Sequence, residues 1–153
     1  IRYGLSAKKD NLLEVYKQSR SKGFGSEAQR RILLGTYVLS AGYYDAYYAH
    51  AQKVRTEFFR DFERVFKEVD VLLTPTTPSP AFRFGEKTDD PVKMYASDVF
   101  TVSANLAGIP ALSLPFGRGE RDGKLLPLGI QLSAPWFYES TLFTIGRVLE
   151  RYG

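Results

Sequence analysis

The 153 residues of this chain correspond to one ordinary domain, and 44% hydrophobic residues are enough to build a core. The absence of cysteine excludes disulfides and thiolate metal sites, and a single histidine excludes a histidine-cluster metal centre, so we predict no metal. Charged residues make up 25%, and neither a membrane-spanning apolar run nor a signal-peptide pattern is present, which predicts a soluble, cytoplasmic protein without a membrane contact.

The net charge of +4 does not by itself indicate a nucleic-acid site. Basic and acidic residues alternate along the chain, notably between positions 57 and 68, which is typical of a solvated helix face. The sequence starts at Ile1 in a segment that reads as already under way. We therefore expect residues 1–153 to be a single region of a longer protein, with no second domain.

Two helices are predicted near the start of the chain. Asp10 is a candidate cap for the first, and Ser26 and Gln29 have the spacing of a capping box for the second. Arg30 and Arg31 fall in the first turn of the second helix, where the helix dipole disfavours a cation. Either another group favours this pair or both are surface side chains, and a surface role is the favoured interpretation for Arg30.

A long third helix is predicted from about Tyr43 to Val69, following Gly42. Apolar residues repeat every three or four positions in its second half, as expected for a buried stripe. Its first half carries four tyrosines, which indicate either helix packing or the edge of a pocket or subunit interface. His50 has no Asp or Cys at catalytic spacing, so we assign it no role.

Residues 70–74 form a short β-branched apolar run, which predicts a strand, and the proline-rich segment 75–80 must then be a rigid loop. Ligands in α/β proteins bind at loops that follow strands, so Thr76 and Thr77 are candidates for hydroxyls that line a pocket. A purely structural proline loop is the equal alternative.

The stretch 89–117 organises the rest of the sequence. Asp90 and Pro91 predict a helix start, and Gly108 predicts its end. An apolar run at 110–115 then predicts a buried strand. Asp98 is the only carboxylate after the first turn of this helix and has small and apolar neighbours, which is unfavourable for a charge unless it meets a ligand or a cation.

The end of the chain predicts two further elements. A charged, glycine-rich turn at 117–124 leads into an apolar strand at 127–132. The last helix covers one face of the sheet with a stripe of five residues: Leu142, Ile145, Val148, Leu149 and Tyr152. The pattern as a whole indicates the α/β class.

Several short sequence motifs resemble those of a known family. Asn-Leu-Ala-Gly-Ile-Pro-Ala at 105–111, Ser-Leu-Pro at 113–115 and Pro-Leu-Gly-Ile-Gln at 127–131 resemble the C-terminal region of the amidase signature family. Further words resemble its glutamine-dependent tRNA amidotransferase branch: Gly-Tyr-Tyr-Asp-Ala-Tyr-Tyr at 42–48, Gln-Lys-Val-Arg at 52–55 and Met-Tyr-Ala-Ser-Asp at 94–98. The match extends over essentially the whole chain.

This resemblance implies a fold and a substrate site. The fold is part of an α/β/α sandwich, with a mixed sheet covered by helices. The arginine that precedes the Ile-Leu-Leu-Gly word binds the substrate carboxylate in this branch, and that position is Arg31. By the same resemblance Asp98 holds the α-ammonium group of glutamine, and Tyr95 joins the candidates for the pocket lining.

The resemblance also implies an activity and partners. The branch hydrolyses glutamine and releases ammonia that converts Glu-tRNA(Gln) to Gln-tRNA(Gln). It works with B and C subunits, it meets tRNA indirectly through the complex, and a partner subunit uses ATP and Mg²⁺. No cofactor is expected in this chain.

The chemistry of the family uses a serine nucleophile, a bridging serine and a lysine base on a glycine- and serine-rich segment, which this sequence lacks. Ser103 and Ser113 are the local candidates, and neither has a lysine or histidine placed by sequence to activate it. We therefore expect no catalytic residue here and no activity from this chain alone. The alternatives are a general carboxamide amidase of the same family and a noncatalytic scaffold or interaction module.

Overall fold

The computed structural model describes residues 4–152 and places them in two compact units, which divide between Gln52 and Lys53. Each unit is described by itself below. Ile1, on which the expectation of a longer protein rests, lies outside the described residues. The single region expected over residues 1–153 stays a prediction.

The first unit contains α1 (Leu12–Gly23) and α2 (Ser26–Val38). Asn11, not Asp10, caps α1, because its Oδ1 accepts a hydrogen bond of 2.8 Å from the Leu13 amide. The predicted capping box at α2 is wrong, since no side chain caps this helix. The Gln29 side chain does reach back, but it donates to the Phe24 carbonyl at 2.8 Å.

The predicted third helix has two parts. Residues Tyr44–Ala49 form a π-helical segment, and α3 (His50–Val65) follows it directly. The first part is therefore wound more widely than the predicted α-helix, and the α-helix ends before Val69.

The second unit contains a three-stranded sheet of β1 (Leu72–Pro75), β2 (Ala111–Arg121) and β3 (Lys124–Ser133), in the order β1-β3-β2. Both pairings are antiparallel, so the parallel pairing that a mixed sheet includes is not seen among residues 4–152. The turn predicted at residues 117–124 contains only two residues, Asp122 and Gly123, because the strands extend further than expected. Both have positive φ, 53° and 72°, as a two-residue hairpin requires.

One face of the sheet is apolar and is covered by α6 (Glu139–Leu149). Four residues form the buried centre of this layer: Leu114, Leu132, Ala134 and Leu142. Ile145 and Leu149 pack against it, as the predicted stripe requires. Val148 and Tyr152 do not, since they are 50% and 75% exposed, so the predicted stripe was too wide.

Residues 90–108 do not form one helix. They form α4 (Pro91–Tyr95), a 3₁₀ turn (Ala96–Asp98) and α5 (Val102–Ala107), which ends at left-handed Gly108 with φ of 71°. The predicted start at Asp90 is confirmed by hydrogen bonds from the amides of Val92 and Lys93 to its carboxylate. The interruption has a physical cause, because short polar side chains bond nearby carbonyls, as Thr101 does with Asp98 O at 3.1 Å.

A second apolar cluster holds α5 in place. Ala104, Ala107 and Ile109 are buried, and Phe62, Phe66 and Trp136 pack around them. Trp136 Nε1 also donates to the Ala107 carbonyl at 3.1 Å. The segment with Asp98 is therefore fixed at its C-terminal end.

Candidate substrate-binding site

The second face of the sheet is polar. Thr74 and Ser113 both lie opposite Gln131 in the strand register, so the three side chains form one row across this face. The row continues at Thr76, whose hydroxyl is 3.0 Å from that of Ser113. We call the residues Thr74, Thr76, Ser113, Gln131 and Ser133 the polar sheet face.

Gln131 connects the polar sheet face to the helical segment that carries Asp98. It is 6% exposed, and its Nε2 donates a hydrogen bond of 2.9 Å to the carbonyl of Phe100. Phe100 lies two residues after Asp98 in the chain. The sheet therefore fixes the backbone on the C-terminal side of the 3₁₀ turn.

Asp98 lies at the end of the 3₁₀ turn and is exposed. Among residues 4–152, its carboxylate has neither a hydrogen bond nor an ion pair with another side chain. The sequence argument assumed an apolar environment, and the structure of this chain does not provide one. The carboxylate is instead a solvent-facing charge that an amino group can reach.

The two threonines of the proline-rich loop have different environments. Thr76 pairs with Ser113 on the polar sheet face, and its amide bonds Gly129 O at 3.0 Å. Thr77 lies on a cleft of about 440 Å³ between the loop and the hairpin, and its hydroxyl donates to Ser79 O at 2.8 Å. Of the two threonines, Thr77 alone lines this cleft.

Lys87 and Ser97 form a contact that the sequence did not reveal. Lys87 Nζ donates to Ser97 Oγ at 2.6 Å, and both side chains are half-buried. Ser97 is in the same word as Asp98, but Lys87 is in an irregular loop where no periodicity could associate the two. Ser97 follows two positions after Tyr95, which is the last residue of α4 and is exposed.

Glu86, beside Lys87, joins the loop to the hairpin. The backbone N–H of Arg83 and the guanidinium group of Arg121 both donate to its carboxylate, and they lower the pKa of Glu86 below its ordinary value. Arg121 also donates to the Ala81 carbonyl at 3.2 Å. The loop before α4 is thus attached to the end of β2.

Arg31 lies in the first unit, on α2, and Asp98 lies in the second. Glu27 in the first turn of α2 accepts from Arg31 Nε at 2.9 Å and from Arg30 Nη1 at 2.8 Å. This carboxylate explains why two arginines are tolerated near a helix N-terminus. The Arg31 side chain is 62% exposed.

The tyrosines of the first unit stack on one another. The ring centroids of Tyr37 and Tyr43 are 4.4 Å apart, and those of Tyr43 and Tyr47 are 5.9 Å apart. A hydrogen bond with Tyr43 raises the pKa of Tyr37. All three rings remain exposed, so these tyrosines contact one another at the surface of the unit.

The serines considered as nucleophiles have other partners. Ser103 Oγ donates to Phe100 O at 3.4 Å, and Ser113 pairs with Thr76. In the part of the chain that the structure describes, neither hydroxyl is hydrogen-bonded to a lysine or histidine. Within the same residues, no three His, Asp or Glu side chains are grouped so that they could hold a metal ion.

Residues 2–143 match the sequence model of the Amidase family, and this chain therefore belongs to that family. Two relatives are named as the A subunit of glutamyl-tRNA(Gln) amidotransferase. The one from Maricaulis maris is 55% identical over 98% of this chain, and the one from Bacillus velezensis is 54% identical over 99%. This chain spans 30% of the length of each.

The fold agrees with this family. The crystal structure of the A subunit of glutamyl-tRNA(Gln) amidotransferase from Thermotoga maritima matches 86% of this chain and 28% of its own length, with a TM-score of 0.60 and 43% identity. The α/β class and the amidase signature fold predicted from the sequence are confirmed. Among residues 4–152, none of the helices combines the length and apolar composition that crossing a bilayer requires.

Proposed function

We propose that this chain is the C-terminal part of a glutamine-hydrolysing amidotransferase subunit. The intact subunit releases ammonia from glutamine for the conversion of Glu-tRNA(Gln) to Gln-tRNA(Gln). The identity of 55% across 98% of the chain, with a relative named as the A subunit of that enzyme, carries the proposal. This chain contributes a wall of the substrate site, and the nucleophile and its base come from elsewhere in the enzyme.

Asp98 binds the α-ammonium group of glutamine, and Arg31 binds its α-carboxylate. Two features support these roles: Asp98 is an exposed carboxylate without an internal ion pair among the described residues, and Arg31 immediately precedes the Ile-Leu-Leu-Gly word. A zwitterionic amino acid needs both charges, whereas a simple carboxamide needs neither. Thr76, Thr77 and Tyr95 complete the lining of the pocket.

The proposal includes partners and a location. The B and C subunits assemble with this protein in the cytoplasm, and tRNA is met through the complex. ATP and Mg²⁺ are used by a partner subunit to activate glutamate, and no cofactor binds this chain. Without its catalytic segment, the chain alone is inactive.

The test uses the assembled amidotransferase that carries this sequence. Within the intact enzyme, Asp98→Ala or Arg31→Ala should each weaken glutamine recognition by about 2 to 5 kcal/mol, by analogy with truncating one member of a charge pair that is buried once the ligand is bound. The value of kcat/KM for glutamine-driven amidation should fall accordingly. Amidation driven by free ammonia should stay nearly normal, because it does not use the glutamine pocket.

Arg30→Ala is the matched control, since Arg30 shares the Glu27 carboxylate with Arg31 but has no proposed contact with glutamine. It should leave both activities unchanged. A parallel fall of glutamine- and ammonia-driven amidation in the Asp98 or Arg31 variant would instead assign these residues to the fold or a subunit interface. No change in either activity would make them ordinary surface charges.

A further inference from the structure

The side chain of Lys87 makes two contacts within the second unit. Its ammonium group is 2.6 Å from Ser97 Oγ and 4.4 Å from the centre of the Phe82 ring. The ammonium group can make both contacts at once, since it can donate to the hydroxyl while it lies over the π face. The side chain is half-buried, so its contacts are shielded in part from water.

The loop that carries Lys87 is itself attached to the sheet. Arg121 at the end of β2 bonds both the neighbouring Glu86 carboxylate and the carbonyl of Ala81. Glu86 is held in addition by the amide of Arg83. The loop that carries the Lys87 ammonium group is therefore held by several hydrogen bonds.

Ser97 is the residue immediately before Asp98 in the 3₁₀ turn. Its hydroxyl accepts from Lys87 and donates to the carbonyl of Lys93 at 3.4 Å, so it joins the loop to the last turn of α4. The Asp98 carboxylate has no side-chain ion pair or hydrogen bond of its own among residues 4–152. Its direction therefore depends on the backbone of the turn that Lys87 and Ser97 hold.

This Ser–Lys pair is not arranged for nucleophilic catalysis. A lysine that acts as a base must be neutral and accept the hydroxyl proton. Here the Lys87 ammonium group lies over the Phe82 ring, and the Ser97 hydroxyl directs its hydrogen towards Lys93 O and not towards Lys87. The contact restrains geometry and does not prepare a proton transfer.

We infer that Lys87 is a positioning residue for Asp98, and through it for the ammonium group of the amino-acid substrate. The inference rests on the proposed function, because it assigns Lys87 to the same glutamine site. Lys87 acts through the Ser97 hydroxyl and the 3₁₀ turn (Ala96–Asp98), and it does not touch the substrate.

Lys87→Met and Ser97→Ala, made in the assembled amidotransferase, test this inference. Each should raise KM for glutamine about tenfold, the equivalent of one charge-assisted hydrogen bond, with kcat changed by less than about twofold. The double variant should be no worse than either single variant, because both break the same contact. Lys87→Arg, which keeps a cationic donor, should recover most of the affinity.

Lys93→Met is the matched control. This variant removes a lysine that is close to Asp98 in sequence. The Lys93 side chain is solvent-exposed, and its ion pair with Asp90 is long, at 3.8 Å, and therefore weak, so KM for glutamine should not change. An equal rise in KM for Lys93→Met and Lys87→Met would overturn the inference in favour of a general charge effect. A loss of ammonia-driven amidation in the Ser97→Ala variant would overturn it in favour of a structural role.

Asp98→Ala in the same series separates the two proposals. If Asp98→Ala weakens glutamine recognition while Lys87→Met and Ser97→Ala have wild-type KM, the positioning role is wrong and the proposed function stands. If Asp98→Ala has no effect on glutamine, the proposed function fails, and the role of Lys87 fails with it.

Discussion

The side chain of Gln131 connects the polar sheet face to the helical segment that carries Asp98. It is 6% exposed, and its amide donates to the Phe100 carbonyl at 2.9 Å. Gln131→Leu fills a similar volume but removes the shorter of the two side-chain hydrogen bonds to this part-buried carbonyl and leaves only the 3.4 Å contact from Ser103 Oγ. We expect the free energy of unfolding to fall by about 1 kcal/mol, the net contribution of one hydrogen bond.

The chain offers a matched control for this substitution. Gln29 Nε2 makes the same kind of bond, 2.8 Å to the Phe24 carbonyl, but this bond is exposed to solvent. Water can replace a donor there, so Gln29→Leu should change the free energy of unfolding by less than about 0.5 kcal/mol. Urea unfolding followed by circular dichroism compares the two variants.

Gln131→Glu tests the same bond through pH. A carboxyl group at this buried position should have a raised pKa, because its protonated form can donate to Phe100 O while its ionised form cannot. The folded state then binds more protons than the unfolded state. The free energy of unfolding should therefore decrease as pH rises from the ordinary glutamate pKa through the raised one.

Two results would refute this reasoning. One is a pH-independent difference between the Gln131→Glu variant and the parent chain. The other is an equal loss of stability for Gln131→Leu and Gln29→Leu, which would mean that burial does not decide the strength of these bonds.

Two further predictions concern the chain by itself. After incubation with an electrophilic glutamine analogue, mass spectrometry should find no stoichiometric adduct on Ser103 or Ser113. The reason is that neither hydroxyl is hydrogen-bonded to a lysine or histidine among residues 4–152. An adduct would place a catalytic centre in this chain. The isolated chain should also associate or be marginally stable, and a monomer with a sharp, concentration-independent thermal transition and no hydrophobic-dye binding would contradict this expectation.

Local sequence signals predicted the elements that have strong local causes. Asp90 with Pro91 gave the start of α4, and Gly108 gave the end of α5, because capping and left-handed geometry depend on a few neighbouring residues. The strands were found from their apolar runs. Their register and the strand order β1-β3-β2 were not, since both depend on residues far apart in the chain.

The errors have equally specific causes. The pattern before Gly108 predicted one helix because apolar periodicity does not register short polar side chains that compete for the backbone. The stripe predicted for the last helix was too wide because Val148 lies on the solvent side of α6 and Tyr152 follows the end of the helix, and exposed apolar residues are common on protein surfaces. Helical spacing alone does not distinguish the centre of a buried face from its margin.

The sequence predicted the charged residues of the candidate site but not the residues that hold them in position. Arg31 and Asp98 came from short words whose residue types indicate a ligand, and their roles stay predictions. Lys87 and Gln131 could not be found in this way. Gln131 bonds a residue 31 positions away, and Lys87 bonds Ser97 from an irregular loop that has no periodicity. Such supporting contacts exist only once the chain is folded.

The accessible surface of the chain is larger than compact bodies of the same size would expose. The structure exposes 11837 Å². Even two separate compact bodies with the sizes of the two units would expose only roughly 9,300 Å². The excess of roughly 2,500 Å² is larger than the roughly 800 Å² that one partner contributes to a standard interface. Helix α2 buries none of its residues, and its Leu33 is 71% exposed. Because α2 also carries Arg31, this exposed surface and the proposed carboxylate-binding residue lie on the same helix.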